Sequence, residues 1–327
     1  MKKVLLASTA LIGFAGMAAA DVTLSGSGRF GLVYGDDGTT SDTVLSYRMR
    51  VNIDASTETD AGVKFGGRIR LQYDAGDTVD DDSDGDTYYQ GAAEVNAAML
   101  YAETAGFRFE VGNVNTAFDS LATLYNAELG FISSTTGSYS PFGYDSYNSG
   151  PYAEGLANRV GVFASYSTGN IVARLSYIDY DQTDDAANPV ASVLDEEVGI
   201  SLDYTAGAYK LGFGYVQNAN GATDYDVYAL LGEYAMNDST NIGLQFIGEN
   251  STVDTKTLTL YGNTKLASGL GLGAFISGVD TDDVTYVNDY AIGIGANYDI
   301  GGATIAGTIQ QGFFDETYAD LGINFSF

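Results

Sequence analysis

Every second residue between Val44 and Asp54 is apolar. Leu45, Tyr47, Met49, Val51 and Ile53 fall on one face, and Ser46, Arg48, Arg50, Asn52 and Asp54 on the other. The pattern returns after Val63, where Phe65, Ile69, Leu71 and Tyr73 alternate with Lys64, Arg68, Arg70, Gln72 and Asp74. It closes the chain, with Leu321, Ile323, Phe325 and Phe327 on one side and Gly322, Asn324 and Ser326 on the other. A period of two is the signature of a strand, not a helix. No run is apolar on both faces. A soluble barrel would turn its apolar residues inward, whereas the charge on the polar face here suits a wet lumen with the apolar face toward lipid. No stretch after residue 20 is long and apolar enough for a membrane helix, so a membrane-bound chain of this kind must cross as a closed barrel.

Sixteen such runs are predicted, giving an all-β fold: a sixteen-stranded antiparallel transmembrane β-barrel. They lie near 22–34, 43–54, 62–74, 92–104, 106–113, 158–168, 170–180, 195–204, 209–218, 224–236, 240–250, 255–266, 269–279, 288–299, 303–312 and 317–327. Most are about ten residues, the length a tilted strand needs to cross a bilayer. Short connections such as Ala105–Gly106 and Ile300–Gly302 alternate with longer acidic ones such as Asp181–Leu194, as in barrels with short turns at one rim and long loops at the other. One connection is anomalous. Some forty residues between Asn113 and Asn158 lack steady alternation but carry Phe118, Tyr125, Phe131 and Phe142. A loop of that length in a compact domain is usually functional or disordered, and its aromatic content favours a third loop folded into the lumen.

The ends and the composition narrow the classes further. Lys2 and Lys3, an apolar run from Val4 to Met17, and Ala18-Ala19-Ala20 read as a signal peptide over 1–20, cleaved after Ala20. The barrel then occupies 21–327. Two lysines and no acid leave with the signal, taking the formal charge from −29 to −31. That excludes nucleic acid as a partner, since such binding rests on basic contacts to phosphate. Cysteine and histidine are both absent, so there is no disulfide, no Ser–His or Cys–His nucleophile and no His-ligated metal. A carboxylate-only enzyme stays open on this count.

Arg29, Arg48, Arg50, Arg68 and Arg70 all fall on the polar face of the first three strands, five of the chain's eight arginines. Like charges on neighbouring strands about 5 Å apart repel by about 0.8 kcal/mol in water and about 3 kcal/mol at an effective dielectric of 20. On a lipid face each would cost roughly 2–4 kcal/mol at the midplane. A hydrated lumen is the cheapest place for them. Gly26-Ser27-Gly28-Arg29-Phe30-Gly31 matches G-x-G-x-x-G, but alternation continues through Tyr34, so these glycines lie within a strand and not at the start of a nucleotide-binding helix. Asp80, Asp82 and Asp84, followed by Gly85, match the first half of a calcium loop. Its twelfth position is Gly91 where a bidentate Glu belongs. The run reads as a solvated acidic loop or as a calcium contact toward lipopolysaccharide or a neighbouring subunit.

Four stretches resemble the general diffusion porins of the Rhodobacter type, an α-proteobacterial branch of the Gram-negative outer-membrane porins. They are Gly28 to Leu32, Ser46 to Ile53 continuing through Thr57 to Val63, Val111 to Ser120 with Tyr125 to Phe131 beyond, and Leu321 to Phe327. The resemblance implies a homotrimer of sixteen-stranded barrels that passes small hydrophilic solutes passively. It also implies a third loop that sets carboxylates, here Asp119 and Glu128, across from the basic wall of Arg29, Arg48, Arg50, Arg68 and Arg70. The terminal Phe327 is then an assembly signal for the barrel-assembly machinery. No cofactor is required, although Asp119 with Glu128 could hold calcium at the eyelet. Small residues on the apolar faces, among them Gly26, Gly28 and Gly67, would let neighbouring barrels approach. Two other classes are weighed against a passive pore. An outer-membrane enzyme is generally a smaller barrel and uses His, which is absent. A non-conducting structural or adhesive barrel has little use for a wall of arginines.

Overall fold

The computed structural model describes residues 21–36, 38, 41–75, 94–137, 144, 160–180 and 194–327. Sixteen antiparallel strands close into a barrel. They are β1 (Asp21–Asp36), β2 (Ser41–Glu58), β3 (Lys64–Ala75), β4 (Glu94–Val95 with Met99–Thr104), β5 (Phe107–Gly112), β6 (Val160–Thr168), β7 (Ile171–Asp179) and β8 (Glu197–Ala206). The second half holds β9 (Tyr209–Gln217), β10 (Asp226–Asn237), β11 (Thr240–Asn250), β12 (Thr255–Lys265), β13 (Leu270–Thr281), β14 (Tyr290–Asp299), β15 (Ala303–Gln311) and β16 (Thr317–Ser326). Each pairs with its sequence neighbours, and β1 pairs with β16 from Ser27↔Ser326 to Asp36↔Thr317. That last ladder leaves no free edge, as a sheet that crosses a bilayer requires.

Strand β8 displays the inversion that the alternation predicts. Glu197, Gly199, Ser201 and Asp203 are buried, while Val198, Ile200, Leu202 and Tyr204 are exposed. The exposed face of the sheet is therefore the apolar one. β4 is the irregular strand. Its register on β3 slips by one residue between Arg68↔Met99 and Leu71↔Val95. Asn96–Ala98 bulge out there, although Asn96 N–H still donates to the Arg70 carbonyl at 2.8 Å. A bulge of this kind bends a strand and raises its twist.

The buried apolar residues do not form one central core. They gather in patches where residues 114–137 and Tyr144 meet the wall. Phe118, Leu121, Leu124 and Tyr144 pack on Val216, Val227, Leu231 and Ile247. Leu129 packs with Tyr261, Phe275 and Phe313, Val114 with Phe163 and Ile178, and Phe131 with Val33 and Ala306. Two glycines make the last contact possible. A Cβ on Gly322 would lie 2.6 Å from the Phe131 ring, and one on Gly31 2.8 Å.

The space over Gly26 and Gly28 is filled from within the same chain, by the rings of Phe327 and Phe325. Leu100 likewise covers Gly67. These glycines admit their own neighbours' side chains and do not by themselves open a face to another barrel. Phe327 is tied into the seam as well. Its N–H donates to the Gly26 carbonyl at 3.0 Å, and its carbonyl accepts from Gly26 N–H at 2.8 Å.

Candidate functional site

Register converts four of the five arginines into a ladder. Across β2 and β3, Arg48 faces Asp74, Arg50 faces Gln72, Asn52 faces Arg70 and Asp54 faces Arg68. Each pair is bonded through Nε. Arg48 donates to Asp74, Arg50 to Gln72 at 2.6 Å, Arg70 to Asn52 at 2.9 Å and Arg68 to Asp54 at 2.8 Å. The outer rungs are ion pairs and the inner rungs join an arginine to a neutral amide, so positive charge concentrates at mid-ladder. Arg29, directly across from Arg48 on β1, donates instead to the Ile132 carbonyl at 2.8 Å. Arg108 on β5 extends the basic surface. It lies 3.8 Å from the Tyr101 ring centroid and pairs with Glu103 and Glu110. With Arg68, Arg70, Asp54, Glu110 and Asn115 it lines a cavity of about 300 Å³.

The segment 113–137 is fastened to the same polar face of the wall. Ser176 on β7 accepts from Ala117 N–H at 2.9 Å, and Asp203 on β8 from Ala122 N–H. Glu233 on β10 takes the Asn126 amide at 2.6 Å. Gln245 on β11 donates to the carbonyls of Thr123 and Leu124, both at 2.8 Å. Asn263 on β12 donates to Asn126, and Gln310 on β15 holds Ser134 and Thr136. Asp320 on β16 accepts from Phe131 N–H at 3.0 Å, and Asn324 donates to the Phe131 carbonyl at 3.0 Å. These tethers run from β7 round to β16 and end at Arg29 on β1. The ladder stands beyond them, on β2 and β3.

Within the segment Asp119 accepts from the Asn115 amide at 2.8 Å and from the Tyr125 hydroxyl. Glu128 is brought within electrostatic reach of Asp119 and Arg29. Loss of solvent and the like charge of Asp119 push its carboxyl up to about 8, against the pull of Arg29. Calcium needs six to eight oxygens. Asp119 and Glu128 supply two carboxylates, and among the described residues no group of three or more acids assembles. The pair alone is a poor fit for the ion. Asp80, Asp82 and Asp84 lie outside the described residues, as does the signal segment 1–20.

One buried centre escaped the sequence reading. Glu197, fully buried, accepts from the hydroxyls of Tyr144 at 3.2 Å and Tyr180 at 2.9 Å, and from Asn220 N–H at 3.0 Å. Burial and Glu197 together drive the Tyr144 hydroxyl well above its ordinary value. Nothing in the local sequence distinguishes Glu197 from Glu196, except that alternation turns one of them inward.

Residues 7–317 match the profile of the Gram-negative porin family. The chain belongs to that family. The porin of Fuscovulum blasticum is 36% identical over 311 residues, spanning 94% of this chain and 100% of that one. The Rhodobacter capsulatus porin is 28% identical over 334 residues, with the same coverage. Among solved structures, a mutant of the Rh. blastica porin with a lysine and an arginine changed to alanine superposes with a TM-score of 0.80 at 36% identity. A second, with an aspartate and a glutamate changed to alanine, does the same. Both comparisons span 94% of this chain and 100% of the other. This porin is an outer-membrane channel for the passive diffusion of small hydrophilic solutes. Its relatives are channels and not enzymes.

Proposed function

We propose that segment 113–137 folds into the lumen and narrows the pore against the arginine ladder. The observation that carries this reading is the run of tethers from Ser176 on β7 to Arg29 on β1. A segment bonded to the polar faces of strands so far round a closed barrel has its path inside that barrel. The remaining aperture then lies between Asp119 and Glu128 on one side and Arg48, Arg50, Arg68 and Arg70 on the other. Opposed charges across a water-filled gap set up a transverse field, which orients polar solutes and penalises apolar ones that must displace ordered water. Single-channel recording in planar bilayers tests this. A stable ohmic conductance, raised when 120–136 is shortened, supports it, and a conductance indifferent to that shortening refutes it.

The finer assignments belong to the same proposal. The pore works as a homotrimer among outer-membrane lipid and lipopolysaccharide, is exported on the 1–20 signal, and presents Phe327 to the barrel-assembly machinery. The likeness to other porins and the terminal aromatic locked into the seam support this. Calcium, where it binds, is held by the acidic loop at Asp80, Asp82 and Asp84. Light scattering on gently extracted protein should return a trimer that dissociates on heating, and a monomer would count against it.

A further inference from the structure

We propose that the cavity between residues 131–133 and the first two strands is a binding site for phosphate monoesters, held by Arg29, Arg48 and Arg50. The inference rests on the constriction reading and gives it a solute class. The cavity measures about 540 Å³, within the range of roughly 300–1,000 Å³ in which small organic ligands are held. Arg29 stands directly across from Arg48, and Arg50 is the next residue on the same face. Like charges directly opposed on neighbouring strands repel, and an anion shared between them relieves that repulsion.

The three side chains are anchored before any ligand arrives. Arg29 is fixed to the Ile132 carbonyl, Arg48 to Asp74 and Arg50 to Gln72. An anchored guanidinium fork loses little freedom on binding and matches two phosphate oxygens at once. Asp299 is the one carboxylate among the described lining residues, and Asp74 reaches Arg48 from beside the cavity, so three guanidinium groups face two carboxylates and the balance stays positive. The cavity is too large for a bare oxyanion, and Ser27 and Thr304 add hydroxyls to its wall. Those groups suit the alcohol part of a monoester. In a chain of formal charge −29, such a local positive focus concentrates anions that the acidic surface repels.

The test uses the intact porin in planar bilayers at fixed ionic strength, with glycerol 3-phosphate as the probe and inorganic phosphate and glycerol as comparisons. Phosphorus NMR line broadening on the detergent-solubilised protein reads occupancy without current. Glycerol 3-phosphate should lower the ion current saturably and broaden its own resonance, at lower concentration than inorganic phosphate, and glycerol should do neither. Arg50→Gln should raise the midpoint by about tenfold, the loss expected of one charge-assisted contact. Lys265→Gln, which removes one positive charge at the end of β12 and outside this cavity, should leave it unchanged. Conducting channels with no saturation and no broadening would overturn the site while the pore reading stands. Equal weakening by the two variants would overturn it too, since diffuse charge would then suffice. Equal midpoints for the ester and inorganic phosphate would overturn the monoester assignment. Broadening in a protein that carries no current would support the site and overturn the pore reading instead.

Discussion

Replacing Phe131 by Ala should widen the pore without unfolding the barrel. The Phe131 ring is 1% exposed and sits where Gly31 and Gly322 leave room for it. An aromatic side chain of this kind buries roughly 150–250 Å², worth about 4–6 kcal/mol at 25 cal/mol per Å². Measured Phe→Ala losses of about 3–5 kcal/mol overlap that figure. What remains at the tip is the Arg29 bond to Ile132 and the bonds of Phe131 with Asp320 and Asn324. These bonds, about 1–3 kcal/mol each, are present in the wild type as well, so they do not offset the loss of the ring. A loss of about 4 kcal/mol shifts the docked–undocked balance of the tip by about three decades. None of the sheet ladders involves Phe131, so the barrel should persist. Single-channel recording should therefore give a higher mean conductance with added open-channel noise, and limited proteolysis should cut near 131. Wild-type conductance, noise and protease resistance in this variant would refute the argument that the ring holds the tip down.

Arg48→Gln with Arg50→Gln should move the reversal potential in a salt gradient toward cation preference, and Asp119→Asn with Glu128→Gln, recorded above about pH 8 where Glu128 is ionised, toward anion preference. Both effects should fade near 1 M salt, where the Debye length is about 3 Å; unchanged potentials in dilute salt would remove these residues from the constriction. Because the Glu128 carboxyl is pushed up to about 8, it is largely neutral below that pH and ionised above it. Raising the pH through this range should shift selectivity toward cations in the wild type and not in Glu128→Gln, as followed by reversal potential. Phe327→Asp puts a charge on the ring position that covers Gly26, and it should slow assembly and leave unfolded precursor in pulse-chase fractions, whereas normal yields of folded barrel would contradict that role.

The barrel was legible because its rule is local. Alternation at Leu45 to Ile53, or at Val198 to Tyr204, needs no knowledge of the partner strand, and all sixteen strands fall where that rule places them. The bulge at Asn96–Ala98 breaks the rule without a proline or a paired glycine to announce it. The site was legible only as a list of charges. That Arg48 meets Asp74 while Arg50 meets Gln72 depends on register, which a one-residue slip would rewrite. The anchors of the segment were hidden more deeply. Asp320 lies 189 residues from Phe131 and Gln245 122 from Thr123, and nothing near either end signals the other. The glycines at 26 and 28 illustrate the converse. Their smallness was plain, but what fills the space above them comes from the far end of the chain.

The tip of the segment draws its holdings from the first strand, through Arg29, and from the last, through Asp320 and Asn324. Those two strands become neighbours only when the seam between them zips. Contacts so distant along the chain are slow to form, and here they also have an order. Until β1 and β16 meet, Arg29 and the pair of Asp320 and Asn324 do not share one surface, so the complete berth for residues 131 and 132 exists only in the closed barrel. The same event that shuts the lateral gap completes the landing place for residues 131 and 132.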